Sequence, residues 1–235
     1  MTPGTPPDQS RPVLLVHGFT TSAERTWREP GWIDLLTDAG RPVIAPDLLG
    51  HGSSPKPHDV EAYDQVEALV AAELPDDGPV DAIGYSAGAG IVLSLAAENP
   101  ERFDRIVLGG VGGGLLKHRK DNPILDALEG RGDADNLVSA HFKSLAESDG
   151  NDPKALAAFI GRRRPPLTAD ELAAVTCPVL VVIGDQDFAA PAEPLAEVLP
   201  NAEVLTLPRV DHFGLPKAFP FLEKGLQFIG ADPMG

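Results

Sequence analysis

Cysteine occurs once, at Cys177, in a chain of 235 residues. A single thiol forms no intrachain disulfide, which excludes the small bridged scaffold of many secreted domains. Stability must come from a packed core, and a chain of this size buries roughly 70% of its unfolded surface. Long apolar runs are missing too. No stretch approaches the ~18 residues of a bilayer-spanning helix, and the opening MTPGTPPDQSRP lacks the apolar segment of a secretory signal. The expected location is therefore the cytoplasm. Positive charge is scarce: 19 Lys and Arg stand against 35 Asp and Glu, for a formal net charge of -16. A field of that sign repels phosphate backbones and anionic membranes, so neither nucleic acid nor membrane is an expected partner. Ligand spacings are absent as well. No His/Cys/Asp cluster has a metal-binding pattern, and neither GxxxxGK nor GxGxxG follows a strand-like run, which leaves no metal or cofactor expected.

What is present is a recurring short run of Val, Ile and Leu: PVLLV (12–16), PVIA (42–45), PVDAI (79–83), RIVLG (105–109), PVLVVIG (178–184) and AEVLTL (202–207). Each reads as a strand buried on both faces. Helical spacing fills most intervals, in EAYDQVEALVAAEL (61–74), AGAGIVLSLAAENP (87–100), PLAEVL (194–199) and the closing LPKAFPFLEKGLQFIG (215–230). The alternation predicts an α/β fold, with a mainly parallel sheet, right-handed crossovers and helices on both faces. One interval departs from it. From about 112 to 173 only polar helical patches occur, which predicts a helical insertion in a single domain whose core is 11–111 and 174–230. GGVGGG (109–114) and RRRPPLT (162–168) read as hinges or linkers at its two ends.

The sharpest chemical signal is IGYSAGAG (83–90), in which a strand-like run passes through GYSAG directly into a helix. So tight a turn forces Ser86 into a strained backbone and needs small residues on either side, supplied by Gly84 and Gly88. The helix that follows aims its partial positive charge and free N–H groups at the serine. A serine alone is a weak nucleophile. It needs a base to take its proton and a carboxylate to orient that base.

This GxSxG between strand and helix resembles the nucleophile elbow of the α/β-hydrolase superfamily, and the resemblance runs from about Arg11 to Ile229. It implies the chain order serine, acid, histidine. That order points to His212, in RVDHFG after the last strand, because His17, His51 and His58 precede the serine and His118 and His141 lie in the insertion. The acid is expected after PVLVVIG, where GDQDFAAP offers Asp185 and Asp187. The family's GxxD pattern matches Asp187, whereas Asp185 reads as a turn-former bonding its own backbone. Asp211 adjoins His212 in the chain, and adjacent side chains diverge. The oxyanion donors implied are the backbone N–H groups of Ala87 and of Phe19, the latter in LLVHGFT, which is similar to the family's HGx loop. There His17 is expected to brace the loop and Gly18 to let it fold close. Two departures from the family stand out. Only about eleven residues precede the first strand, which leaves a six-stranded, all-parallel sheet without the N-terminal hairpin of many relatives, and Ala89 replaces a usual glycine.

The resemblance implies a cofactor-free serine hydrolase that cleaves a small, largely apolar carboxylic ester through an acyl-enzyme. A serine at the elbow argues against relatives that carry aspartate there, such as haloalkane dehalogenases and epoxide hydrolases. It leaves carbon-carbon bond hydrolases, perhydrolases and hydroxynitrile lyases as alternatives, and a ligand receptor that keeps the triad. The expected partner is a small-molecule substrate, with short acyl chains or one ring favoured over long lipids and over anions; monomer and homodimer stay open. Leu125, Leu128, Phe142 and Phe159 are the expected pocket lining. PDLLGHGSS (46–54), with Asp47 and His51, reads as structural, and Trp27 and Trp32 as core anchors. Arg162, Arg163 and Arg164 are expected to pair with surface carboxylates, and Cys177 to be an inert buried residue.

Overall fold

The structure, a computed structural model, describes residues 10–117, 121–133 and 135–231. His118 and the proline-rich residues 1–9 fall outside the described residues. Six strands, β1 (Val13–Val16), β2 (Val43–Ile44), β3 (Val80–Tyr85), β4 (Phe103–Gly109), β5 (Val179–Gly184) and β6 (Ala202–Leu207), form one sheet in the order β2-β1-β3-β4-β5-β6. Every pairing is parallel, as expected from the alternation of strand and helix.

Side-chain alternation divides the strands between two cores. In β1, Leu14 and Val16 join one cluster with Ile106, Leu108, Val179 and Val181, whereas Val13 and Leu15 join another with Ile83, Val107 and Val182. The first cluster is covered by α2 (Val66–Ala71), α3 (Ala87–Glu98) and α8 (Glu193–Ala196), the second by α1 (Trp32–Asp38) and α9 (Phe219–Phe228). Trp27 and Trp32 are fully buried in the second cluster, edge to face at 5.5 Å, and Trp32 Nε1 donates to the Pro216 carbonyl at 3.0 Å. Both are core anchors, as expected.

Not every run is buried on both faces. The edge strand β2 shrinks to two half-buried residues, and β6 is largely half-exposed, because an edge strand has one neighbour and incomplete helical cover. The helix expected over 61–74 divides into a 3-10 turn (Val60–Tyr63) and α2, and the closing helix likewise starts as a 3-10 turn (Leu215–Lys217) ahead of α9.

Between β4 and β5 lie α4 (Pro123–Leu128), α5 (Leu137–Ala146), α6 (Pro153–Gly161) and α7 (Ala169–Leu172), with no strand among the described residues. Asn122, Asn136, Asp152 and Thr168 cap their N-termini through side-chain oxygens, and Thr168 with Glu171 makes a reciprocal capping box. The segment docks on the core through polar contacts: Arg25 Nη2 donates to Asp149 O at 2.9 Å, Asn151 Nδ2 to Thr20 O at 3.0 Å, and His58 Nε2 lies 2.9 Å from Asp152 Oδ2. The hinge reading of 109–114 does not hold. Gly109 to Gly113 are buried, and a Cβ on Gly112 would stand 2.3 Å from Pro191 O and 2.4 Å from Ala189 O. Glycine there serves close packing.

No helix among the described residues is long and apolar enough to cross a membrane.

Candidate active site

Strand register gathers the site. Val16 aligns with Gly84, Tyr85 with Gly109, Gly109 with Val182, and Gly184 with Leu207. The loops that follow β1, β3, β4, β5 and β6 therefore leave the sheet along one edge, where ligands of parallel sheets characteristically bind. Ser86 occupies the turn from β3 into α3 with φ 52° and ψ -114°, a left-handed conformation that L side chains avoid. The glycines two positions on either side have no room for a side chain. A Cβ on Gly84 would meet the Ala89 Cα at 2.6 Å, and one on Gly88 the Val16 carbonyl oxygen at 2.2 Å. Ala89 itself is accommodated, fully buried, on the inner face of α3.

His212 Nε2 lies 2.9 Å from Ser86 Oγ, and His212 Nδ1 lies 2.9 Å from both carboxylate oxygens of Asp187. His212 and Asp187 are buried, and Asp187 Oδ1 also accepts the Ala189 N–H at 2.8 Å. The sequence order thus brings together the three residues it singled out. Asp185 points elsewhere. Its Oδ1 accepts the Arg209 N–H at 2.7 Å and ties the loop after β6 to that after β5, rather than bonding its own backbone as expected. Asp211 Oδ1 accepts the Gly214 N–H at 2.7 Å. Tyr85, which sequence reasoning passed over, donates its hydroxyl to the His212 carbonyl at 2.7 Å, and its ring lies 5.3 Å from the imidazole, tilted by 37°. Burial pushes its phenol pKa upward, so it stays a donor. Its place beside the serine in GYSAG was the available signal.

The N–H groups of Phe19 and Ala87 have no hydrogen-bond acceptor among the described residues, and both residues line the same cavity as Ser86 and His212. Gly18 makes this approach possible: a Cβ there would stand 2.8 Å from the Tyr85 ring and 3.3 Å from Ser86 Cβ. His17 braces the loop. Its Nε2 accepts the Leu48 N–H at 2.9 Å, which leaves Nδ1 as donor to Gly18 O at 2.8 Å. Burial holds His17 down to about 4 and His51 down to about 3, the latter also repelled by His17. Asp47 pins the 46–54 loop by accepting from Ala23 N at 2.9 Å and Ser53 N at 2.7 Å. Burial opposes its ionisation, but these bonds outweigh it and hold the carboxyl below its ordinary value. Asp47 and His51 make no hydrogen bond to the Ser86 group, in keeping with a structural role.

The cavity has a volume of about 650 Å³. Phe142 and Phe159 of the inserted helices line it as expected, and Phe19 stacks on Phe159 at 5.8 Å. Leu125 and Leu128 do not line it; Ile124, Leu115 and Leu167 do, because α4 turns Leu125 toward Gly161 and Leu128 into the main core. Phe188, half-exposed and 4.3 Å from the His212 ring, was not anticipated, although it follows the acid directly. Arg162 and Arg164 line the cavity too, with Glu67 as their ion-pair partner among the described residues, while Arg163 is exposed. Surface pairing had been expected of all three. Cys177 is half-buried rather than buried, and burial pushes its thiol up to about 11, which keeps it a weak nucleophile. Among the described residues no three His, Cys, Asp or Glu side chains gather as a metal site.

A serine, an imidazole and a carboxylate in line, beside two N–H groups without an acceptor among the described residues, can move a proton off the serine and hold negative charge on a substrate oxygen. Comparison with known proteins identifies relatives of the whole fold. Lipase LipV of Mycobacterium tuberculosis is 38% identical over 99 residues, covering 41% of this chain and 35% of that protein. The pimeloyl-[acyl-carrier protein] methyl ester esterase of Neisseria meningitidis is 28% identical over 215 residues, covering 79% of this chain and 78% of that one. The chain spans only 35% to 48% of the length of the first curated relatives it matches. Among solved structures, a bromoperoxidase from Bacillus anthracis superposes with a TM-score of 0.70 at 23% identity, over 94% of this chain and 92% of that one, a likeness of fold. The sequence profile of the Alpha/beta hydrolase family matches residues 13–229, nearly the whole chain, and the chain belongs to that family.

Proposed function

We propose that the protein is a serine hydrolase that cleaves a small carboxylic ester, with a largely apolar body, through an acyl-enzyme. The observation that carries this reading is the unbroken chain from Ser86 Oγ through His212 to Asp187, with a link of 2.9 Å on each side of the imidazole. Ser86 Oγ attacks the ester carbonyl carbon as His212 Nε2 takes its proton. Asp187 holds the proton of Nδ1 and stabilises the imidazolium that forms. Negative charge developing on the carbonyl oxygen is met by the N–H groups of Phe19 and Ala87. When the tetrahedral species collapses, the ester C–O bond breaks and the leaving oxygen takes the proton from Nε2, releasing an alcohol. Water then repeats the sequence on the acyl-enzyme, releasing the acid and restoring Ser86. All of these groups belong to the chain itself. The ester assignment draws on the similarity to the lipase and the methyl ester esterase, and the small substrate on a cavity of about 650 Å³ walled by Phe19, Phe142, Phe159 and Phe188.

Ser86→Ala tests the reading. It should fold as the parent does, because alanine keeps the elbow compact, yet turnover of short p-nitrophenyl esters should fall by about a millionfold. A fluorophosphonate should label the parent at Ser86. Labelling at another serine, or retained turnover in the alanine variant, would exclude Ser86 as nucleophile.

A further inference from the structure

Two guanidinium groups stand in the wall of a cavity that is otherwise mostly apolar. The segment after α6 is extended, with Arg162 at ψ 149° and Pro165–Pro166 holding the preceding residues away from helix. Side chains of an extended chain alternate, so Arg162 and Arg164 turn together toward the cavity and Arg163 faces solvent. The Arg162 side chain is 6% exposed and that of Arg164 is 26% exposed. Arg162 lies over the Phe159 ring at 3.9 Å. Arg164 lies against α3 at Gly90, where a Cβ would stand only 2.5 Å from its Nη2. Gly90 is one turn beyond Ser86, its N–H bonded to the Ser86 carbonyl, so the guanidinium sits about 6 Å along the helix from the serine.

The pair is under-neutralised. Its carboxylate partner among the described residues is Glu67, and a single oxygen of Glu67 serves both arginines, at 3.7 Å from Arg162 and 3.9 Å from Arg164. Those separations exceed hydrogen-bond length and lack the bidentate geometry of a dedicated structural pair. The hydrogen bonds of the two groups among the described residues are Arg162 Nη1 to Phe159 O at 2.8 Å and Arg164 Nη2 to Ser94 Oγ at 3.4 Å. Among the described residues lining the cavity, the other charged ones, Lys117 and Asp121, are exposed and of opposite sign. Among the described residues, one positive charge of the arginine pair is therefore left over. Burial disfavours this charge enough to push Arg162 down to about 10, so an anion bound beside it would offset a cost that Glu67 offsets only in part.

We propose that Arg162 and Arg164 form a recognition subsite for a carboxylate, so that the ester cleaved at Ser86 carries an anionic carboxylate at its far end. The inference rests on the serine-hydrolase reading for the ester end alone. A carboxylate suits the pair better than a phosphate monoester, since one negative charge cancels the excess and the planar anion fits a guanidinium fork. It also reverses the expectation, drawn from the net charge, that anions are disfavoured. The overall field acts on approach, whereas a desolvated pair at contact distance acts on the bound state.

The test uses the monomethyl esters of succinic, glutaric and adipic acid against the corresponding dimethyl esters. Methanol release gives kcat/KM for each. At the best chain length the parent should favour the monomethyl ester at least tenfold, and Arg162→Gln and Arg164→Gln should bring the ratio near one. Gly90→Ala, which displaces the Arg164 guanidinium without removing a charge, should lower the ratio as well. Binding is read separately by calorimetry on Ser86→Ala protein. There monomethyl glutarate should bind at least tenfold tighter than dimethyl glutarate, and adding Arg164→Gln should erase the difference. Discrimination by the Ser86→Ala protein without ester turnover in the parent supports the subsite and removes the ester reading. Equal treatment of both esters in the two assays, or a preference unchanged in both arginine variants, overturns the subsite and leaves Ser86 untouched. Where a Gln variant does not fold, the Lys variants, which keep the charge but lose the fork, should cut the same ratio several-fold; an unchanged ratio overturns the subsite.

Discussion

At Gly88 the space beside the backbone is set by two carbonyl oxygens, Val16 O at 2.2 Å and His17 O at 2.4 Å from where a Cβ would sit. Both belong to backbone that is buried and cannot withdraw as a flexible side chain would. Gly88→Ala should therefore cost more than about 3 kcal/mol, read from urea midpoints; a cost within 1 kcal/mol would show that the elbow has slack. The two carboxylates after β5 give a cleaner comparison. Asp187→Asn should lower kcat by about ten thousandfold, because an amide favours the wrong imidazole tautomer. Asp185→Asn removes an acceptor that serves the Arg209 N–H and should leave kcat within a few-fold. The opposite ranking would move the acid to Asp185. Ser86, Asp187 and His212 were legible because each stands in a distinctive string directly after a strand-like run. Arg162 and Arg164 were not told apart from Arg163 in the sequence, where all three were expected to pair with surface carboxylates. An extended segment says which residues share a side, and nothing in RRRPPLT says which side faces inward.

At the scale of elements, strand runs were read well and their surroundings less so. Val, Ile and Leu mark a strand wherever both faces are covered, but AEVLTL has the same composition and lies at an edge, half-exposed, because cover depends on helices elsewhere in the chain. Helix phase was the weaker reading. α4 spans six residues, too few for periodicity to tell Ile124 from Leu125 as the one facing the cavity. The caps were not read from the sequence, although Asn122, Asn136, Asp152 and Thr168 each stand at the head of an inserted helix. Asp152 serves twice, accepting from Lys154 N and Ala155 N and meeting His58 of the core. Asp152→Ala should cost about 1 kcal/mol of stability through the lost cap, whereas His58→Ala, leaving the cap intact, should cost less than half of that. Equal losses in urea titrations would place the weight on the contact between helix and core.

Across the whole molecule, acid stability is tied to two buried imidazoles. His17 and His51 are held neutral down to about 4 and about 3, whereas an unfolded chain protonates histidine below about 6.5. Between those limits the unfolded state binds protons that the folded state refuses, so stability falls as pH drops through 6.5 and keeps falling toward the folded values. At pH 5 the loss amounts to about 2 kcal/mol for each histidine. Urea midpoints at pH 7 and pH 5 read it directly, and His51→Leu should shrink the difference between them; an unchanged difference would acquit His51. The strand register has a further consequence, in chain entropy. β4 pairs with β5, Gly109 beside Val182, across the entire helical insertion. Closing a loop of about seventy residues rather than ten costs only about 2 kcal/mol, since the penalty grows with the logarithm of length. Connectivity thus places almost no limit on how long the insertion is. What limits the insertion is the packing of Phe142, Leu156, Phe159 and Leu172 against the core, so the roof over the serine can change length between those anchors while the sheet and its edge of loops persist.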